Sequence, residues 1–201
     1  MRIWIQKPKT RRLFLAIPLD HLWRTSLSSC SRAIQRDDGM QAVPVRWVQP
    51  ENFHITVRFI GAIESGCVRP LLVMLQALFS GNRAFSLPFA RIEVATAADP
   101  KMIWVTFTQN DAFRNLVQKS TGHIAVFLSD KCHGAVLQNG HDVIPHVTLA
   151  RMKGKINARN FSVPDGFPET LMVTSLILYE SHTYASGSVY HEITRFKLHE
   201  T

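Results

Sequence analysis

The chain contains His54-Ile55-Thr56-Val57 and, in its second half, His146-Val147-Thr148-Leu149, two copies of one short pattern. Both stretches are rich in β-branched residues and alternate in polarity, which is typical of β-strands. Side chains two residues apart in a strand point to the same face, so each histidine shares a face with its threonine. The other residues of each copy point the opposite way, into a core. The sequence therefore predicts two strands that each carry an imidazole beside a hydroxyl.

Two copies in matching contexts are a stronger signal than one, because a lone histidine in a strand is more often structural. If the two strands face each other, one imidazole takes a proton while the other gives one, as in general acid–base catalysis. Each copy also has a nearby arginine. Arg58 follows Thr56 by two residues and is expected to share its face. Arg151 follows Thr148 by three, and shares that face only if the strand bulges or ends there.

The two motifs and their flanks resemble the two-histidine phosphoesterase superfamily, and within it the RNA 2′,3′-cyclic phosphodiesterases, also called 2′-5′ RNA ligases. The resemblance covers nearly the whole chain from about Arg12, and both histidines and both threonines are present. Further stretches that resemble the family are Arg12–Ile17, Val45–Val48, Glu51–Phe53, Phe59–Gly61, Met102–Val105 and Leu178–Ser181, followed by Gly187 and Tyr190.

The resemblance implies an α+β fold with two lobes related by a pseudo-twofold axis, antiparallel sheets lining a central cleft and helices outside. It also implies hydrolysis of RNA 2′,3′-cyclic phosphate ends to 2′-phosphomonoesters, with 2′-5′ ligation as the reverse reaction. In that reaction His54 is the proton donor and His146 the proton acceptor. The residues alone do not assign these roles, because the two motifs are near mirror images.

Each residue type in the motifs has a physical task on a cyclic phosphate. An unperturbed histidine titrates near pH ~6.5, so it serves as base or acid at neutral pH. Thr56 and Thr148 donate hydrogen bonds to phosphate oxygens, and Arg151 adds a charge-assisted contact. The chemistry requires no metal and no cofactor. Further candidates for RNA contact are Arg46, Trp47 and Arg58.

Composition supports a nucleic-acid partner. The 201 residues include 23 Lys and Arg against 15 Asp and Glu, a net charge of +8, and a positive surface attracts polyanions. The expected partners are RNA ends or nucleotides with a 2′,3′-cyclic phosphate. The three cysteines, Cys30, Cys67 and Cys132, are odd in number and lack metal or redox spacing, so a disulfide scaffold is not expected and a reducing cytoplasm fits better. A cytoplasmic monomer is expected, since no apolar run approaches a membrane span.

The resemblance implies a single bilobal domain over residues 12–201, after an N-terminal extension over residues 1–11. A helix is expected from Pro18-Leu19-Asp20 to about Gln35, and Asn110 or Asp111 is expected to cap the third helix. A loop is expected over residues 131–139. The other predicted helices cover residues 67–79 and 112–127, and the predicted strands cover residues 13–17, 53–60, 85–96, 102–108, 144–150, 171–180 and 188–198.

Several alternatives stay open at this stage. Cys132-His133 with His141 and His146 suggests zinc, although the spacing fits no standard pattern. Among the aromatic residues, Trp104 is expected in the core and Trp47 at the edge of the cleft. A basic two-lobed protein also serves as a non-catalytic RNA-binding module. The same chemistry on another small cyclic or 2′-5′-linked nucleotide is the remaining alternative.

Overall fold

The computed structural model describes residues 9–37, 40, 44–95, 102–132, 144–152, 159–185 and 187–200. These residues form three α-helices, α1 (His21–Gln35), α2 (Ser65–Phe79) and α3 (Asp111–Lys131), and a short 3-10 helix, Pro50–Asn52. They also form ten strands, which are β1 (Thr10–Pro18), β2 (Val45–Trp47), β3 (His54–Glu64), β4 (Phe85–Val94), β5 (Met102–Phe107), β6 (His146–Met152), β7 (Asn160–Phe161), β8 (Thr170–Val173), β9 (Ser175–Tyr184) and β10 (Gly187–Lys197).

The strands form two antiparallel halves that meet in the middle. The first half has the order β10-β9-β1-β3, and the second has the order β6-β5-β4-β7. In addition, β2 pairs with β6 and β8 pairs with β4. The innermost strands of the two halves, β3 and β6, are the two motif strands. The predicted α+β fold with two lobes and antiparallel sheets is therefore confirmed.

Helices cover one face of each half. In α1, buried residues recur at helical spacing, and its Trp23 packs against Phe107 and Phe167 of the second half at 5.1 and 5.5 Å between ring centroids. The first half is covered by α2 and α3, which contact β3 and β10. Phe79 of α2 packs against Phe196 of β10 at 5.4 Å. The opposite face of the first half carries no helix from the described residues, and it borders the cleft.

Side-chain caps start two of the helices where the sequence predicts. The Asp20 carboxylate accepts a hydrogen bond from the backbone N–H of Trp23 at 2.8 Å, and the Asn110 side chain accepts one from Phe113 at 2.9 Å. Each bond satisfies an N–H that has no partner within the first turn of its helix. No helix in the described part of the chain is long and apolar enough to cross a membrane.

Several boundaries differ from the predicted ones. Strand β1 begins at Thr10, so the last residues of the predicted extension pair with β3 instead. The third helix continues to Lys131, where a loop is predicted. The predicted strand over residues 171–180 is two strands, β8 and the start of β9, separated at Thr174. Residues 133–143, which include most of the predicted loop, lie outside the described residues.

The structure pairs Cys67 with Cys132 in a disulfide, a pairing that the number and spacing of the cysteines do not predict. Cys67 lies in the first turn of α2, and Cys132 directly follows α3. Their Cα atoms are 6.2 Å apart, a distance that a disulfide spans. The two cysteines are 65 residues apart in sequence, so only the packing of α2 against α3 brings them together. Cys30 is free and buried on α1.

Candidate active site

The two motif strands meet at a single residue pair. Ile55 of β3 lies opposite Val147 of β6 in antiparallel orientation, and both side chains are fully buried. This register places His54 opposite Thr148 on the other face, and it places the second histidine opposite the first threonine in the same way. The motifs are thus related by a local twofold axis at this pair. His54 and His146 are therefore diagonal neighbours across the two strands. Residues in this relation lie roughly 7–8 Å apart, so both imidazoles reach one phosphate-sized space.

A β-bulge in β6 brings Arg151 to the face that carries Thr148. The register against β5 shifts by one residue between Ile103, which lies opposite Ala150, and Trp104, which lies opposite Thr148. Two successive residues, Leu149–Ala150, therefore point into the core, where both are fully buried. Arg151 then lies opposite Met102 and donates to its Sδ at 3.3 Å. Arg151 is predicted to share the face of Thr148 only if its strand bulges or ends there, and β6 has such a bulge.

A bulge at the same place in β3 has the opposite consequence for Arg58. The register against β1 shifts so that Thr56 and Arg58 lie opposite neighbouring residues, and the partner of Arg58 is the core residue Leu15. Arg58 therefore points away from the face of Thr56, is only 7% exposed, and has its pKa lowered by burial. The predicted shared face is wrong, because the bulge breaks the alternation. Phe59 takes the place on the cleft side and is 55% exposed.

Each histidine is held by the chain segment that leads into its own strand. His54 Nδ1 lies 2.7 Å from the carbonyl oxygen of Asn52, and His146 Nδ1 lies 2.8 Å from that of Ile144. A carbonyl oxygen only accepts, so Nδ1 carries the proton in both rings, and Nε2 is the basic nitrogen of the neutral ring. Thr56 Oγ1 lies 3.1 Å from His54 Nε2 and donates to it. The Thr56 hydroxyl thus lies beside Nε2, the nitrogen of His54 that would exchange a proton.

Aromatic rings surround His54. The ring of Phe14 lies 5.0 Å from the imidazole, and Tyr190 meets it edge-on at 5.2 Å, in each case between centroids. Tyr179 lies further away, at 6.3 Å, and stacks on Phe14. These rings remove water from one side of the imidazole and fix its orientation. The cluster comes from β1, β9 and β10, strands that are distant in sequence from the first motif.

His146 has a different neighbour, the indole of Trp104, at 4.8 Å between ring centroids. Trp104 is half-buried and donates from Nε1 to Glu93 Oε1 at 3.2 Å. The second oxygen of Glu93 accepts from Arg91 Nε at 2.7 Å. The prediction that Trp104 belongs to the core is therefore wrong, because its position on β5 puts it on the face of Thr148. The hydrogen bond to Glu93 holds the indole of Trp104 against the imidazole of His146.

Trp47 and Arg46 occupy opposite faces of β2. Trp47 lies opposite Ala150 and packs against the core, so the prediction that it borders the cleft is wrong. Arg46 lies opposite Arg151, is exposed, and remains a candidate for RNA contact. Its guanidinium lies close to the start of β10, where a Cβ added to Gly187 would come within 2.9 Å of Nη2. A side chain at Gly187 would therefore displace Arg46.

The electrostatics of the free site keep both rings neutral at neutral pH. Burial lowers the pKa of His54 to about 4; its bond to the Asn52 carbonyl opposes this effect, and the charges of His146 and Arg151 add to it. Burial also lowers the pKa of His146, opposed by the Ile144 carbonyl and supported by Arg151. The charge of Arg151 therefore acts on both imidazoles. An anion bound between the rings would have the reverse effect and would raise both pKa values.

The zinc alternative involves two histidines, His133 and His141, that lie outside the described residues. Its cysteine, Cys132, is bonded to Cys67. Among the residues that the structure describes, no three of His, Cys, Asp and Glu cluster in a way that would hold a metal ion.

Comparisons with known proteins point to one family. Residues 32–104 match the family model described as LigT like Phosphoesterase. The chain is 24% identical over 193 residues to the RNA 2′,3′-cyclic phosphodiesterase of Methanothermobacter thermautotrophicus, covering 93% of this chain and 98% of that protein. It is 27% identical over 168 residues to the protein of the same name from Bacillus subtilis, covering 76% and 80%. The chain is therefore similar to the LigT-like phosphoesterases.

Solved structures confirm the fold. E. coli LigT in complex with 3′-AMP superposes with a TM-score of 0.73 at 22% identity, covering 94% of this chain and 99% of that one. The crystal structure of TT0787 from Thermus thermophilus gives a TM-score of 0.72 at 19% identity, with 94% and 98% covered. The shared architecture therefore extends over nearly the whole chain.

Sequence reasoning missed part of the surroundings of this LigT-like site. Phe14 lies in the apolar run 13–17, which has no alternation to show which residues face the cleft. The lack of alternation was itself a signal, since a strand that is apolar throughout has both faces covered. Tyr190 and Trp104 each lie in stretches that resemble the family, but nothing in the sequence shows that they contact the two histidines.

Proposed function

We propose that this protein hydrolyses RNA 2′,3′-cyclic phosphate ends to 2′-phosphomonoesters without a metal. The observation that carries this proposal is the antiparallel pairing of Ile55 with Val147, which sets two imidazole–hydroxyl pairs around one point. Both rings bind a carbonyl through Nδ1 and keep Nε2 for proton exchange. Two bases on either side of one phosphate are what an in-line displacement at phosphorus needs, since one oxygen enters as another leaves.

In the proposed reaction His146 Nε2 takes a proton from water as the water oxygen attacks phosphorus. The bond between phosphorus and the 3′ oxygen breaks, and His54 gives its proton to that oxygen. The products are a 3′-hydroxyl and a 2′-phosphate, and the two imidazoles have exchanged protonation states. These roles follow the family resemblance, since the local twofold axis makes the two motifs equivalent.

Three further side chains are proposed to hold the phosphate. Thr56 and Thr148 lie on the same face as the histidines and donate hydrogen bonds to the non-bridging oxygens. Arg151 balances the negative charge, and its influence on both imidazoles supports a position near the phosphate. Its guanidinium donates to the Met102 sulfur, a weak acceptor that a phosphate oxygen would readily replace.

The bound substrate supplies the charge that the acid step needs. His54 is neutral in the free protein because burial lowers its pKa to about 4. A cyclic phosphate carries one negative charge, which favours the imidazolium form when it lies beside the ring. Substrate binding is therefore proposed to bring a proton onto His54. The relatives named RNA 2′,3′-cyclic phosphodiesterases support the substrate class.

Ligation is proposed as the same ring-opening displacement with a different nucleophile. A 5′-hydroxyl takes the place of water at His146 and attacks the cyclic phosphate, which yields a 2′-5′ linkage. The roles of the two histidines do not change, because His146 takes the proton of the 5′-hydroxyl as it would that of water, and His54 still gives its proton to the departing 3′ oxygen.

The test is incubation of a nucleoside 2′,3′-cyclic phosphate with the protein in the presence of EDTA. The expected product is the 2′-phosphate, identified by its separation from the 3′-phosphate, and EDTA should leave the rate unchanged. His54→Ala and His146→Ala serve as inactive controls. A product that does not form, or that forms equally with the double variant, would reject the proposal.

A further inference from the structure

A groove lies beside the candidate site, on the helix-free face of the first half-sheet. It encloses about 670 Å³ and is lined by residues of β1, β3, β9 and β10 together with Arg151. Phe14 and Tyr190, which contact His54, form part of its wall. Arg151, whose charge acts on both histidines, lines it as well. The groove is therefore continuous with the site and is not a separate cavity.

Strand register shows which way the groove runs. Tyr190 lies opposite Ser181, and Ser188 lies opposite Thr183, so these four residues share one face of the β9–β10 hairpin. Arg12 lies two residues before Phe14 on β1 and shares its face. The lining residues come from four neighbouring strands, in the order β10-β9-β1-β3, which lie about 4.8 Å apart, so the groove spans about 14 Å across them. The groove thus extends beyond the space that a single nucleotide fills.

The lining changes in character along this length. Close to the histidines the lining is aromatic: Phe14, which is 2% exposed, contacts His54, and Phe59, which is 55% exposed, lies one ring further out at 6.0 Å from the Phe14 ring. Further out it carries three hydroxyls and the exposed Arg12, with which no carboxylate of the described residues is paired. Aromatic faces for bases, followed by hydroxyls and a guanidinium for sugar and phosphate, are the means by which proteins bind single-stranded nucleic acid.

Acidic residues near the groove are already neutralised. Glu192 lies opposite Tyr179, and Arg195 binds both of its oxygens, at 3.1 and 2.7 Å. Glu180 is paired with Arg11 at 2.5 Å. The unbalanced charge along the groove therefore comes from its arginines and attracts a polyanion.

We propose that this groove binds the RNA strand immediately 5′ of the cyclic phosphate, an inference that rests on the proposed function. A 2′,3′-cyclic phosphate is the 3′ end of its strand, so the chain leaves the site in the 5′ direction only. The groove begins at the rings of Phe14 and Tyr190, which contact His54, and provides a path for that segment. Phe59 stacks on a base, and Arg12 contacts a backbone phosphate. The substrate class is thus an RNA end, and a mononucleotide uses only the inner part of the site.

The experiment compares two substrates in the same assay. One is a nucleoside 2′,3′-cyclic phosphate, and the other is a short oligoribonucleotide with the same terminal nucleoside. The variants are Phe59→Ala and Arg12→Ala. The matched controls are Tyr184→Ala, which removes an aromatic residue 54% exposed on the opposite face of β9, and Arg69→Ala, which removes an exposed arginine from α2.

Each groove variant should lower kcat/KM for the oligoribonucleotide by about tenfold, the effect of losing one base stack or phosphate contact. The mononucleotide value should change less than about twofold, and the controls should affect neither substrate. For Arg12→Ala, the slope of log kcat/KM against log salt should become less steep by about one with the oligoribonucleotide. Equal effects on both substrates, or none on either, would overturn the inference.

A binding measurement keeps the inference separate from the proposed function. If the wild-type protein hydrolyses neither substrate, the proposed function fails while the groove is still testable. Binding of a labelled oligoribonucleotide that ends in a 2′-phosphate is then measured by fluorescence anisotropy at low salt. Phe59→Ala and Arg12→Ala should each bind it about tenfold more weakly than the wild-type protein does. Equal affinity for the wild-type protein and both variants would overturn the inference.

Discussion

Strands β3 and β6 share a sequence motif and a backbone irregularity, yet the residue five positions after each histidine differs. It is the aromatic Phe59 in β3 and the charged Arg151 in β6. In both strands the bulge turns the two preceding residues into the core and returns this fifth residue to the cleft side. The two motifs thus match at their histidines and threonines and differ at the fifth residue after each histidine.

The surroundings of the two imidazoles differ in the same way. His54 lies among the rings of Phe14, Tyr179 and Tyr190, and its pKa is lowered to about 4. His146 has one aromatic neighbour among the described residues, Trp104. A duplicated pair becomes useful for catalysis when its environments separate the two pKa values, because one ring must be charged while the other is neutral. Burial in the free protein disfavours charge at His54, so in the proposed reaction the bound phosphate supplies the charge that makes His54 an acid.

Removal of either histidine should have the largest effect. His54→Ala and His146→Ala are each expected to lower kcat by ~10²–10⁴-fold, the usual contribution of a general acid or base. The double variant should be little worse than the weaker single variant, because the two groups act as one unit. Turnover of a nucleoside 2′,3′-cyclic phosphate measures the loss, and thermal unfolding checks that the variants fold. Full additivity of the two losses would show that the motifs work independently.

The asymmetric fifth position is tested by making the motifs alike. Arg151→Phe gives β6 the residue that β3 carries, and it should lower kcat/KM by about 10–100-fold, since a hydrogen bond to a charged group contributes ~1.5–3 kcal/mol. Arg151→Lys keeps the charge without the fork and should recover part of the loss. Steady-state kinetics with the mononucleotide measure both. Wild-type kinetics in Arg151→Phe would mean that the cation has no role at the phosphate.

The threonines should matter less and should matter equally. Thr56→Ala and Thr148→Ala each remove one hydrogen bond to the phosphate, which contributes ~0.5–1.5 kcal/mol, or about 2–10-fold in kcat/KM. Thr56→Ser and Thr148→Ser, which retain the hydroxyl, are the matched controls. The local twofold axis predicts similar losses for both alanine variants, and a large loss from one alone would show that the symmetry does not extend to the phosphate contacts.

The pH dependence gives the smallest effect, a displacement of the rate profile. Both histidine pKa values are lowered in the free protein, so both limbs of the bell in kcat/KM should lie below pH ~6.5. The bound anion raises both pKa values, so the bell in kcat should lie at higher pH. The same sign holds for stability: the unfolded chain takes up a proton near pH ~6.5 and folded His54 only near 4, so stability falls as the pH drops between these values. Identical bells for kcat and kcat/KM would contradict the charge argument.

Much of this site is visible in the sequence, because the motif residues are local. The periodicity of two places His54 with Thr56 on one face, and the two copies predict two such faces. The two bulges cannot be predicted from the motif residues, because they depend on the register of β3 against β1 and of β6 against β5. These bulges determine that Arg58 points into the core and that Arg151 lies on the cleft side. The neighbours of the histidines are harder still to predict.

Phe14, Tyr190 and Trp104 reach the histidines from strands far away in sequence, so packing alone brings them there. The same holds for Cys67 and Cys132, which only the contact between α2 and α3 makes neighbours. Trp47 departs from its prediction for a local reason, because β2 alternates and the neighbouring arginine occupies the face toward the cleft. Long-range packing therefore sets the environment of the site, while short-range pattern sets its reacting groups.

The most direct test of the acid role of His54 and the base role of His146 uses a leaving group that needs no acid. A nucleoside 2′,3′-cyclic phosphate with sulfur in place of the 3′ bridging oxygen expels a thiolate, which leaves without protonation. His54→Ala should then hydrolyse the sulfur substrate at a rate close to that of the wild-type protein, while His146→Ala remains slow because water still needs a base. Rescue of His146→Ala instead would reverse the two roles. Rescue of neither variant would contradict the account that the two histidines act as acid and base on one phosphate.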